Sequence, residues 1–172
     1  MDSRQLIFQI IRFIAYVGVQ VVLLKNLVIF DSAFCLVYIG FLLFMPIDIG
    51  RPLLMLIGFF LGLTVDIFYD SLGIHAAASV LLGYIRPTWI NALTPQGGYD
   101  IGISPGYQKM GFGWYFAYSG LLLLIHHLTI FYIEAGGFHL FFFTLVKVIF
   151  STLFTFLVLL LIQLLFSRGS RS

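Results

Sequence analysis

The stretch Arg51–Tyr84 reads RPLLMLIGFFLGLTVDIFYDSLGIHAAASVLLGY, two apolar segments joined by a short polar turn. Its first segment carries Gly58, Gly62, Asp66 and Asp70 at successive steps of four, and on a helix such positions lie along one stripe. Two glycines on that stripe let a neighbouring backbone approach closely, as small-xxx-small patterns do between membrane helices, and the carboxylates arrive at one end. Gly73, with Ser71, supplies the turn. The returning segment opens with His75, Ala76, Ala77, Ala78 and Ser79, residues small enough to pack flush against the glycines. The stretch therefore predicts a membrane helical hairpin whose stripe is a contact face, within the molecule or toward a partner.

Composition points the same way. Of 172 residues, 61% are hydrophobic and only 9% are charged. A soluble domain of this length has too little interior to hide so many Phe and Leu side chains, whereas a bilayer accepts them on outward faces. The formal charge of +2 is small and the basic residues are scattered, so no nucleic-acid partner is expected. The single Cys35 excludes an internal disulfide, and no Cys/His spacing resembles a zinc site. No cofactor or metal is expected.

Outward from the hairpin, the chain divides into apolar segments, and residues 1–172 are read as one integral-membrane domain. Leu6 to Leu24 is the first span, interrupted by Arg12. Ser32 to Met45 is free of charge but gives only about 21 Å of helix, so it spans comfortably only with Leu27 to Phe30 included and Asp31 near the outer interface. Pro46 to Pro52 is a turn-rich connection. The hairpin's second arm continues to about Leu93, with Arg86 snorkelling to the interface and Trp89 in the aromatic belt. Thr94 to Gly111 is a Gly- and Pro-rich extramembrane loop offering Tyr99, Tyr107 and Lys109 as contact groups. Gly113 to Ile133 spans next. The last segment, Phe138 to Phe166, contains Lys147, and Val148 to Phe166 alone would suffice to cross. The expected fold is an all-α, six-helix transmembrane bundle. With the N-terminus inside, Arg4, Arg51, Arg86, Lys109, Arg168 and Arg171 fall on the cytoplasmic side against Lys25 alone outside, which places both termini in the cytoplasm. If the second segment fails to cross, Arg4 merely exchanges with Lys25 and the last four helices keep their orientation.

Ionisable groups inside a span usually face the bundle interior or a wet cavity and find partners. Asp66 and Lys147, both toward the outer side, are a candidate intramembrane ion pair. The plainer readings are snorkelling for Lys147 and for Arg12, and for Asp66 a hydrogen bond to a neighbouring helix. Proton or ion coupling at Asp66 is the further alternative. His126 and His127 are adjacent, so a helix points them about 100° apart and they are poorly placed to share a metal; interhelical hydrogen bonding suits them better. Ser119 sits in no nucleophile motif. Tyr69-Asp70 and Tyr99-Asp100 look superficially like paired catalytic aspartates, but on opposite faces they cannot share a proton.

The run Gly58-Phe-Phe-Leu-Gly62-Leu-Thr-Val-Asp66-Ile-Phe-Tyr-Asp70-Ser-Leu-Gly73-Ile-His75-Ala76 resembles the hairpin of the rod shape-determining protein MreD family, small multi-span components of the bacterial cell-elongation machinery. The chain resembles that family over nearly its whole length in size and hydropathy. The resemblance implies no enzyme activity. It implies a scaffold in the bacterial inner membrane, surrounded by membrane lipids, that binds the bitopic shape protein MreC. Through MreC it would reach other membrane proteins of the elongation complex and help organise peptidoglycan synthesis and cell shape. It also implies a six-helix architecture related to the substrate-binding subunits of energy-coupling-factor vitamin transporters. That relation supplies an alternative function, a small-molecule transporter subunit. A ligand pocket would be concave with convergent polar groups, whereas a scaffold would leave an apolar or small-residue face free.

Overall fold

The computed structural model of the chain describes residues 3–29, 32–100, 102–138 and 140–166. Phe30 and Asp31 of the expected second span, and Arg168 and Arg171 of the basic tail, lie outside the described residues. Helix α1 (Ser3–Gly18) runs directly into a π-helical stretch, Val19–Leu24. Two short strands follow, β1 (Val28–Ile29) and β2 (Ala33–Phe34), antiparallel with Val28 opposite Phe34 and Ile29 opposite Ala33. After an irregular pair of residues come a 3-10 turn, Val37–Ile39, and the one-turn helix α2 (Gly40–Leu43). The hairpin is α3 (Arg51–Tyr69) and α4 (Ile74–Ala92). The loop beyond it holds the short α5 (Tyr107–Met110) and leads to α6 (Phe112–Glu134) and α7 (Phe141–Phe166). Among the described residues, four helical stretches are long and apolar enough to cross a membrane: Arg4–Leu24, Arg51–Tyr69, Phe112–Glu134 and Phe141–Leu165.

The hairpin is where the sequence is most literally translated into packing. A Cβ on Gly62 would stand 2.4 Å from the Ala76 Cα and 2.4 Å from the His75 carbonyl oxygen; one on Gly58 would stand 2.7 Å from the Ser79 carbonyl oxygen. Gly83 on α4 meets the Leu54 carbonyl of α3 in the same way, at 2.9 Å. These contacts are backbone against backbone, which only glycine permits, and they gain close dispersion contact where the surrounding lipid gives no hydrophobic drive between helices. The turn between the helices runs through left-handed residues: Asp70 (φ 54°), Leu72 (φ 50°) and Gly73 (φ 92°). Asp70 terminates α3, with its amide bonded to the Asp66 carbonyl, and its side chain is exposed. At the other end Arg51 Nη2 donates to Thr88 Oγ1 (2.9 Å) and its guanidinium lies 4.8 Å over the Tyr84 ring.

The predicted helix over Ser32–Met45 is not formed. A helix of that length is too short for a bilayer, whereas strand and irregular residues advance up to about 3.3 Å each instead of 1.5 Å, so unwinding the first half carries a short segment further. Gln20 of the π-helical stretch reaches Cys35 and Tyr38, and Arg12 of α1 reaches Phe44. The segment therefore descends antiparallel to α1. It is not a peripheral strap: every residue from Cys35 to Met45 is buried. Tyr38 meets His75 of α4 and His126 of α6, Gly40 fits between Tyr16 of α1 and Leu159 of α7, and Leu42 touches Gly58 of α3. The long helices are staves around this irregular axis.

Arg86 is likewise not a snorkelling residue. It is 0% exposed, with Nε donating to the Tyr118 hydroxyl (2.7 Å) and the guanidinium reaching the carbonyls of Leu43, Met45 and Pro46. The loop on this side also turns inward. Tyr99 donates to the Ile90 carbonyl and accepts from Trp114 Nε1, while the Tyr107 amide donates to Gln163 of α7. Lys109 alone of its proposed contact groups is exposed.

Gly62→Leu is expected to cost about 3 kcal/mol or more by forcing α3 from α4, read as loss of folded protein in detergent size-exclusion and thermal unfolding. Gly120→Ala, on α6 where a Cβ would meet nothing within 4 Å, should stay within about 1 kcal/mol of the parent.

Candidate functional site

The polar residues of the spans converge on two linked places, the start of α4 and the buried segment beside it. Because Gly62 brings α3 against Ala76, Asp66 one turn further along α3 faces the first turn of α4. There the amides lack helical partners and the helix dipole is positive. The carboxylate takes both: Oδ1 accepts from the His75 amide (3.0 Å) and Oδ2 from the Ala76 amide (2.9 Å). Oδ1 also accepts from the Ser71 hydroxyl, and His75 Nδ1 lies 3.1 Å from it. A carboxylate oxygen calls for a donor, so Nδ1 carries the proton on this geometry. Asp66 is thus an N-terminal cap supplied by a neighbouring helix, and the spacing Gly62–Asp66 with His75–Ala76 is the geometry of that cap.

Ser71, His75 and Asp66 contain the residue types of a nucleophilic triad without its arrangement. A relay needs serine and carboxylate on opposite ring nitrogens; here Ser71 Oγ (2.8 Å) and Asp66 Oδ1 both face Nδ1. The three form a closed knot that ties the turn to both helices.

From His75 the polar groups continue into the core. Its ring packs against Tyr69 (centroids 5.1 Å apart) and edge-on to Tyr38 (5.7 Å). The Tyr38 hydroxyl is 2.8 Å from His126 Nε2, and His126 Nδ1 has no partner among the described residues. His127 turns the other way, donating from Nδ1 to the Leu123 carbonyl (2.7 Å) and facing Thr155 of α7 with Nε2 (3.2 Å). The two histidines therefore bond to different elements. Among the described residues no three His, Cys, Asp or Glu side chains converge as metal ligands would.

The candidate Asp66–Lys147 pair is replaced by two separate arrangements. Lys147 pairs with Glu134 at the end of α6 (3.0 Å) and lies 4.5 Å over Phe34 and 4.4 Å over Phe131. Asp66 has all its partners within the hairpin, and the cationic group nearest the turn, Lys25, donates to the Phe68 carbonyl at the end of α3. Of the stripe, Gly58, Gly62 and Asp66 face α4, Asp70 and Gly73 form the turn, and His75 receives Asp66. As a contact face the stripe is occupied from within the molecule.

The sequence reading missed the residues that serve the buried segment. Gln20 donates to the Cys35 carbonyl (3.0 Å) and to the Tyr69 hydroxyl (2.7 Å), and accepts from the Tyr38 amide (3.2 Å). Ser151 accepts from the Phe34 amide (2.9 Å), and Thr155 from the Leu36 amide (3.0 Å). Ser151 and Thr155 are four apart on α7, so they share a face. That pattern, with Gln20 in the first span, was the available signal.

Two concavities accompany these groups. One, of about 210 Å³, lies by the turn between Lys25, Tyr69, Ser71, His75 and Glu134. The other, of about 560 Å³, lies at the side of the molecule between α1 and α7 and is almost wholly apolar. Comparison with protein-family models, curated proteins and solved structures finds no match.

Asp66→Leu removes every side-chain bond of Asp66 and should cost about 3–5 kcal/mol. Asp66→Asn keeps the shape but turns an N–H toward an amide, so a cost of about 1–2 kcal/mol is expected. Thermal unfolding of the two variants in detergent checks this. Equal loss of function in both, with Asp66→Asn as stable as the parent, would instead mark a role for the charge itself.

Proposed function

We propose that the chain is a non-enzymatic scaffold in the bacterial inner membrane, of the rod shape-determining MreD kind. It crosses six times with both termini in the cytoplasm and holds a bitopic MreC-like partner among the membrane proteins of the elongation complex. The observation that carries this reading is the glycine–aspartate hairpin. The residues that bear the resemblance lock α3 to α4 through backbone contact and an interhelical cap. Their work is architectural, and it leaves rigid apolar faces directed outward, such as Leu56, Phe60 and Ile67 on α3 and Phe150, Leu157 and Leu161 on α7. The descent of the buried segment beside α1 supports six passes, the second made by irregular backbone.

The cleft by the turn favours a second reading, a small-molecule transporter subunit. Weighing against it, ligand pockets usually enclose about 300–1,000 Å³, and the polar groups of this cleft are already engaged: Lys25 with Phe68, Tyr69 with Gln20, Ser71 and His75 with Asp66.

Two measurements test the scaffold. On a Cys35→Ser background, single cysteines at positions 3 and 170 should resist a membrane-impermeant maleimide in intact cells, while Leu72→Cys at the exposed turn should react. Labelling at position 3 with protection at 170 would show that the second segment does not cross. Affinity purification of the chain should recover the MreC-like protein of its host in near-equal amount. Absence of that protein, with a small molecule retained instead, would favour the transporter reading.

A further inference from the structure

The lateral cleft between α1 and α7 belongs to neither the hairpin knot nor the scaffold reading. Its walls are Phe8 and Tyr16 of α1 and Ile162 of α7, and its floor is the buried segment at Val37 and Phe44. Only 11% of the apolar stretch of α1 is buried, so the cleft opens sideways, to lipid rather than to water.

Its polar groups are Arg12, Gln163 and the Tyr16 hydroxyl. Arg12 is half-buried. One guanidinium nitrogen takes Gln9 (3.2 Å) and another the Phe44 carbonyl at a long 3.4 Å, with the Phe8 and Phe41 rings about 6 Å away. Among the described residues it forms no ion pair. Arg86 makes an informative contrast, since it too lacks a carboxylate but is enclosed and ringed by oxygen atoms. Both arginines reach carbonyls of residues 43–46 and so stand at one height, beside the loop that meets Ile47 and Gln163. Arg12 is therefore a cation at the loop end of an apolar cleft, with donors left over and no counter-charge among the described residues.

We propose that this cleft is a site for an anionic phospholipid from the leaflet on the N-terminal side, one acyl chain lying in the cleft and the phosphate pairing with Arg12. The apolar walls suit a hydrocarbon chain, and a guanidinium offers paired donors to phosphate oxygens. An acyl chain gains little by leaving bulk lipid for an apolar wall, so selection rests on the headgroup. A partner's transmembrane helix fits less well, because a single turn of a cylinder about 10 Å across already occupies about 420 Å³, leaving room in the 560 Å³ for little more than one turn.

Native mass spectrometry of the detergent-purified full chain, titrated with phosphatidylglycerol and separately with phosphatidylethanolamine, tests the site. The parent should prefer phosphatidylglycerol by about fivefold, the equivalent of about 1 kcal/mol for one basic residue near an anionic lipid. Arg12→Gln should abolish that preference, and Arg12→Lys should retain most of it, which separates loss of charge from loss of fold. Ala15→Trp, at the exposed rim, should weaken binding of both lipids. Equal binding of the two lipids by the parent, or an unchanged preference in Arg12→Gln, would overturn the proposal. So would crosslinking of Ala15→Cys to a partner helix with loss of the bound lipid.

Discussion

The structure depends on satisfying the backbone of one buried, irregular segment. Within hydrocarbon an unpaired amide or carbonyl costs several kcal/mol, so non-helical backbone persists at membrane depth only where protein supplies its partners. Residues 35–45 are buried and form only a 3-10 turn and one turn of α-helix between irregular ends, and their partners come from the surrounding helices. Gln20 serves Cys35 and Tyr38 from one side, Ser151 and Thr155 serve Phe34 and Leu36 from another, and Arg86 with Tyr118 serves the carbonyls of residues 43–46. Each of these polar side chains would be a liability on a lipid-facing surface. Around this segment they are what allows a chain that packs as five long helices to close without a sixth.

The hairpin answers the same constraint at a helix end. The first turn of α4 presents amides that the helix itself cannot pair, and the nearest residues of its own turn, Leu72 and Gly73, have no side-chain acceptor to offer. Asp66 supplies the acceptor from α3, and it reaches them because Gly58 and Gly62 remove the side chains that would hold the two backbones apart. Close packing and capping are therefore one device. Enlarging Gly62 displaces Asp66 from the amides as surely as it opens the helix pair, so defects at the two positions should not add independently.

A scaffold must present the same outer surface whatever binds it, and the interior polar groups here are arranged for rigidity: bonded in knots, facing helix ends and irregular backbone. The surface features that remain, the apolar walls of α3 and α7 and the lateral cleft under α1, are addressed to neighbours in the bilayer.

The sequence by itself determined the solvent, the hairpin and the places of the long helices, because hydropathy over about twenty residues and glycines at steps of four act locally. It also isolated Asp66 as a residue with a role, though not its partner. Only the tertiary structure decided that residues 32–36 unwind, that Arg86 turns inward to carbonyls, and that Lys147 joins Glu134 while Asp66 caps α4. Those outcomes turn on which orphaned backbone groups lie nearest a given side chain. An irregular segment leaves no periodic trace, since its stability resides in Gln20, Ser151, Thr155, Tyr118 and Arg86, scattered along the chain and joined only when the helices assemble around it.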